Sequence, residues 1–136
     1  MGLISLSTTK KKETSGIISM IKWNKLTSPE QIESVIEESN SHPVLIFKHS
    51  TSCSISAASL DRIERKWDES EMKDWKPYYL DLLANRPTSH AVANELGIEH
   101  QSPQAIVLFQ GKPVYDASHF SISYDAIKSA TKDVVL

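Results

Sequence analysis

Val44-Leu45-Ile46-Phe47-Lys48-His49-Ser50-Thr51-Ser52-Cys53-Ser54-Ile55-Ser56 is the stretch on which the fold turns. Its first four residues form a continuous apolar run, the mark of a central strand covered on both faces. A polar turn, His49-Ser50-Thr51-Ser52, follows and delivers Cys53. Beyond it, Ile55, Leu60, Ile63 and Trp67 indicate an amphipathic helix. Cys53 therefore falls at a strand-to-helix junction. Unpaired N–H groups at a helix start carry partial positive charge and favour an anion there. A thiol so placed is drawn toward thiolate, the form that attacks disulfides. For a lone cysteine the competing reading is a buried structural residue. The Ser/Thr-rich flank and the junction favour the reactive one.

The pattern extends in both directions. Upstream, Ile21 and Trp23 alternate with polar neighbours and predict a short edge strand. Ser28-Pro29-Glu30-Gln31 reads as a helix start, with Ser28 as cap, Pro29 at the first helical position and Gln31 completing a capping box. Ile32, Val35 and Ile36 supply its buried face, and the helix should stop around Ser39–His42, ahead of Pro43. Downstream, Tyr78–Leu82 reads as a strand, and Pro87-Thr88 opens a helix carrying Val92 and Leu96 and closed by Gly97. Ala105–Phe109, Gln110-Gly111-Lys112 and Pro113-Val114-Tyr115 form a hairpin. A last helix starts at Ser123 and packs Ile127, Ala130 and Val134. The order β-α-β-α-β-α-β-β-α predicts an α/β fold: a mixed sheet of about five strands with helices on both faces. Residues 1–17, rich in Ser, Thr and Lys, read as a flexible extension, leaving 18–136 as the domain.

Composition narrows the function. The 136 residues suit one compact domain, and 40% hydrophobic content is enough for a core. A net charge of -2 with no basic stripe argues against nucleic acid as a partner. No apolar run approaches the ~20 residues that cross a bilayer, so no membrane association is expected. The N-terminus fits neither a secretory signal nor the myristoylation pattern, which places the protein in the cytoplasm. The single cysteine cannot form an internal disulfide, in keeping with a reducing compartment. His42, His49, His90, His100 and His119 give no paired metal-ligand spacing, so no metal is expected. A Gly-x-Ser-x-Gly elbow and a Gly-rich phosphate loop are both missing. Trp23, Trp67 and Trp75 read as packing residues, with Trp75 an alternative neighbour of the site.

Three positions bear on the chemistry around Cys53. Ser56 stands one helical turn on, where a dithiol motif has its second sulfur. A hydroxyl there can donate a hydrogen bond to a thiolate but cannot resolve a mixed disulfide. Ser102-Pro103 lies just ahead of a hydrophobic strand, where thioredoxin-like domains keep a cis proline. Most X-Pro bonds are trans, but the order of elements favours cis here, with the Ser102 backbone free to pair with an extended substrate. His49 reads equally well as an imidazole serving the thiolate or as a surface residue of a polar turn.

The segment Ile46–Ser56 resembles the monothiol bacilliredoxin family, the YtxJ-like proteins of the bacillithiol system, and Lys48-His49-Ser50-Thr51 is its specific part. The likeness continues through Ser102-Pro103 and Phe109-Gln110-Gly111-Lys112-Pro113-Val114, covering roughly residues 20 to 132. Family members commonly carry Cys-Pro-Ile-Ser. Ser54 takes the proline's place here, leaving an extra backbone donor at the helix start. Phe47 stands where many dithiol thioredoxins bury an acid.

The resemblance implies a thioredoxin-like fold and a monothiol disulfide oxidoreductase with no tightly bound cofactor. Bacillithiol, or another low-molecular-weight thiol, would be cosubstrate, and S-thiolated proteins would be partners. Cys53 would be the nucleophile, with Ser56 bonded to its sulfur and His49 nearby. Thr51, Ser52, Ser54 and Ile55 would shape the approach, while Ser102 and Pro103 align the substrate backbone. A monomer is expected, although an exposed unpaired thiol also allows a disulfide-linked dimer. Two other roles fit the same residues: a non-catalytic thioredoxin-like adaptor, and a redox sensor switched by thiolation of Cys53.

Overall fold

The computed structural model describes residues 21–132. The expected extension over 1–17 and the expected packing of Val134 lie outside the described residues. In chain order the elements are β1 (Asn24–Lys25), α1 (Gln31–Glu38), β2 (Val44–His49), α2 (Ser54–Lys66) and β3 (Lys76–Asp81). They continue with α3 (Arg86–Leu96), β4 (Gln104–Phe109), β5 (Lys112–Ser118), a 3-10 turn (His119–Ser121) and α4 (Tyr124–Ser129).

The five strands form one sheet in the order β1-β3-β2-β4-β5. β1, β3 and β2 run parallel, whereas β4 and β5 are antiparallel to their neighbours. β2 is central, and all six of its residues are buried. Alternation along the strand sends Leu45 and Phe47 into one core cluster with Ile63, Trp67 and Ile127. Val44 and Ile46 enter a second cluster with Ile32, Val35 and Val92. The sheet thus separates two apolar layers, and the expected mixed sheet with helices on both faces is what the chain forms.

Local chemistry explains most boundaries. Gly97 closes α3 at φ 66°, a left-handed conformation that glycine adopts without penalty. In the β4–β5 hairpin Gln110 and Gly111 have φ of 59° and 80°, as a two-residue turn requires. Ser123 caps α4 by accepting the Ala126 N–H at 3.0 Å.

Four expectations need correction. The edge strand is Asn24–Lys25, not Ile21–Trp23: Asn24 and Lys25 are the residues in register with β3, while Ile21 turns into the core. Ser28 does not cap α1 with its side chain. The helix starts at Gln31 after a turn through Pro29, and only the Gln31 half of the capping box forms, its Oε1 accepting the Ser28 N–H at 3.0 Å. β5 runs to Ser118, well past Tyr115, because it pairs along the whole of β4. Lys48 and His49 belong to β2, whose pairing with Leu80 and Asp81 of β3 carries the strand through both polar residues.

Candidate active site

The parallel pairing of β2 and β3 brings their C-terminal ends to one edge of the sheet. There the Leu82 N–H donates to the His49 carbonyl at 3.0 Å. β4 begins at the same edge, because Lys48 is paired with Gln104. The chain leaves β2 through Ser50, Thr51 and Ser52, and a turn closed by the Cys53 N–H to the Ser50 carbonyl at 3.1 Å swings it into α2.

Cys53 is the N-cap of α2, with extended backbone (φ -113°, ψ 122°), and its carbonyl accepts the first helical bond from Ala57 at 3.0 Å. Its side chain makes no capping bond and is partly exposed. Cys53 thus stands at the head of a 13-residue helix, the end where the N–H groups of the first turn lack helical partners. Thr51, Ser52, Ser54 and Ile55 surround it, all exposed.

Ser56 faces inward and is fully buried. Its Oγ accepts the Ser50 N–H at 3.0 Å and lies 2.7 Å from His49 Nδ1. His49 is buried at the end of β2, with its ring near Tyr79 and Phe47. That settles the alternatives for its location: it is not a surface histidine of a polar turn. Burial pushes its pKa below the usual imidazole value, against the opposing pull of the Asp81 and Glu64 carboxylates. A neutral ring is therefore the resting form. Among the described residues neither His49 nor Ser56 hydrogen-bonds the Cys53 sulfur in this arrangement.

The Ser102–Pro103 bond is cis, as the element order led us to expect. The Pro103 carbonyl accepts the His119 N–H at 3.1 Å, and the His119 carbonyl accepts from Ser59 Oγ of α2 at 3.2 Å. The 3-10 turn is thereby tied both to the proline and to the helix of the thiol. Ser102 Oγ is buried and has no hydrogen-bond partner among the described residues.

The burial of two residues of this region went unread in the sequence. Lys48 is completely buried and donates to the Ser89 carbonyl and to His100 Nδ1, each at 3.2 Å. Gln104 is also buried, beside it in the sheet. The signal was the alternation of β2, which puts Lys48 on the face of Val44 and Ile46 once the strand is carried two residues further. A cavity of about 580 Å³ lies at the other end of the sheet, lined by His42, Trp67, Trp75 and Lys76. Trp75 therefore belongs to that end and not to the thiol. Among the described residues no cluster of three His, Cys, Asp or Glu side chains could hold a metal, and no helix is long and apolar enough to cross a membrane.

A mixed five-stranded sheet, one thiol at the head of the helix after its central strand and a cis proline beside that strand define a single-cysteine protein of thioredoxin fold. Residues 24–127 match the family described as monothiol bacilliredoxin BrxC, and the chain belongs to that family. A solved structure described as a candidate oxidoreductase with a thioredoxin fold is 34% identical, with a TM-score of 0.67 over 79% of this chain and 91% of the other. Thioredoxin from Fasciola hepatica (14% identity, TM-score 0.59, 81% and 98% covered) shares the fold. So does a thioredoxin variant from Halobacterium salinarum (18%, TM-score 0.60, 89% and 100% covered). Family and fold together support a thiol redox function.

Proposed function

We propose that the protein is a monothiol disulfide oxidoreductase that removes bacillithiol, or a similar low-molecular-weight thiol, from protein mixed disulfides in the cytoplasm. The Cys53 thiolate attacks the small-thiol sulfur of the mixed disulfide. A new disulfide forms between Cys53 and the small thiol, the old S–S bond breaks, and the protein leaves as thiolate and takes up a proton. A second small thiolate then attacks the adduct, giving the symmetrical small disulfide and free Cys53. The net reaction consumes one reduced small thiol per protein repaired, and the electrons balance without another oxidant or reductant.

The observation that carries this reading is the pairing of a partly exposed thiol at the head of α2 with a buried hydroxyl where a resolving sulfur would stand. With one cysteine in the chain, the second sulfur must come from solution. Ser56 and His49 fit a supporting role. While Nδ1 lacks a proton, the Ser56 hydroxyl donates to it; with the proton on Nδ1, that hydroxyl hydrogen is released from His49. Ile55, Leu83 and Phe120 are the exposed large apolar side chains among the described residues, and all three lie at the thiol's end of the sheet. An apolar rim suits a polypeptide substrate. Thr51, Ser52, Ser54, Ser102 and Pro103 would complete the approach.

Mass spectrometry of the protein after exposure to several oxidised small thiols tests the reading. The expected result is one adduct on Cys53 that forms selectively and is reversed by the same thiol in reduced form. No adduct with any of them, or unaltered cellular function in Cys53→Ser, would favour the adaptor. An adduct that forms but never turns over would favour the sensor.

A further inference from the structure

Lys48 is a fully buried ionisable group that this exchange does not use. Its ammonium has no solvent exposure and, among the described residues, no carboxylate partner. It is held by the Ser89 carbonyl of α3 and by His100 Nδ1, which also lies 3.3 Å from Ser89 Oγ. Next to it, Gln104 of β4 reaches the same stretch of chain. Its Nε2 donates to the Glu99 carbonyl at 3.1 Å, and its Oε1 accepts the Gln101 N–H at 3.3 Å. Two neighbouring strands thus each send one buried polar side chain into Glu99-His100-Gln101, the segment directly ahead of Ser102–Pro103.

Apolar packing does not account for this. Glu99 and His100 are exposed and contribute nothing to the core, and a methionine would fill the site of Lys48 without burying a charge. What the two side chains do provide is a fixed position for a loop that has no regular secondary structure of its own. We propose that Lys48, with Gln104, is a positioning residue of the exchange reaction, holding Glu99–Gln101 so that the Ser102 main chain stays aligned for the substrate polypeptide. This rests on the disulfide-exchange reading, and on Ser102 as the edge along which the substrate lies.

The test compares wild type with Lys48→Met, His100→Ala and His100→Asn in the full chain. His100 is exposed, so its variants leave the core untouched, and asparagine can offer an acceptor near the position of Nδ1. Three quantities are read: thiol transfer from a peptide whose cysteine is disulfide-bonded to bacillithiol, iodoacetamide alkylation of Cys53, and amide exchange at Gln101. Lys48→Met and His100→Ala should raise KM for the peptide about tenfold and speed Gln101 exchange by a similar factor, roughly the loss of one hydrogen bond. Alkylation should stay within about twofold of wild type, and His100→Asn should recover most of the peptide activity. Equal losses in alkylation and transfer would mean general loosening and would overturn the proposal, as would an unchanged KM or unchanged Gln101 exchange. If wild type transfers no thiol from the peptide, it is the exchange reading that fails. Unchanged Gln101 exchange in the variants would then also refute Lys48's hold on the loop, and faster exchange would uphold it.

Discussion

β2 is buried from end to end, yet its two ends put that burial to different uses. Val44–Phe47 fill the two apolar layers, alternating between them. Lys48 and His49 are buried too but keep polar atoms engaged, Lys48 toward α3 and the loop ahead of Pro103, His49 toward Ser56 and the head of α2. One end holds the domain together. The other positions the two segments that flank the thiol. Core and site therefore meet on a single strand, and substitutions only one residue apart should separate them.

The apolar end should give the largest effect. Phe47 is fully buried against Trp23 and the first cluster, so Phe47→Ala should cost about 3–5 kcal/mol in denaturant unfolding. A loss below about 1 kcal/mol would mean that this end of the strand is not the main structural one. Lys48→Met, one position on, should do the reverse. Burial pushes the lysine from its ordinary 10.5 to about 8, so near neutral pH the folded state holds a charge that the unfolded chain carries at less cost. Between pH 8 and 10.5 the unfolded state binds more protons, and wild-type stability gains from this group as pH rises. A shift of that size corresponds to about 3 kcal/mol. Lys48→Met should be more stable than wild type by that order at pH 7, with the advantage shrinking toward pH 10.5. The tyrosines raised by burial, Tyr78, Tyr79, Tyr115 and Tyr124, weaken both proteins alike at alkaline pH and cancel in the comparison. An advantage that does not change with pH would show that the lysine binds its proton equally well folded and unfolded, so that burial does not depress its pKa.

The same contrast explains how much could be read from the sequence. The apolar end of β2, the helices, the hairpin and the glycine cap on α3 all rest on local pattern, and local pattern identified them. The placement of Cys53 at the head of α2 followed from the same run, and the cis bond at Pro103 from the order of elements. His49 looked like the start of a turn, with Lys48 left between it and the apolar run, because polar residues after an apolar run usually mark one. Their burial depends on β3 pairing alongside and on α3, His100 and Ser56 covering them, contacts made through the tertiary fold and not by immediate neighbours. The shift of β1 to Asn24–Lys25 has a similar origin, since β3 decides which two residues pair. The 3-10 turn at His119–Ser121 had no signal at all: it is fixed by the Pro103 carbonyl and Ser59 Oγ.

That turn offers the finest separation of structure from chemistry. Phe120 is 77% exposed at the site's end of the sheet, while its neighbour His119 is bonded to Pro103 and to α2. A side chain so exposed adds little to the fold, so Phe120→Ala should change stability by no more than about 0.5 kcal/mol. If the apolar rim receives the polypeptide of a mixed disulfide, the variant should raise KM for a protein substrate by roughly three- to tenfold, the loss of about 1 kcal/mol of apolar contact. It should leave the reaction with the symmetrical small disulfide unchanged, because that substrate is too short to reach past Cys53 to the turn. Parallel steady-state measurements on the two substrates decide it. An equal change for both would place Phe120 in the support of the thiol, and no change for either would remove the rim from substrate recognition.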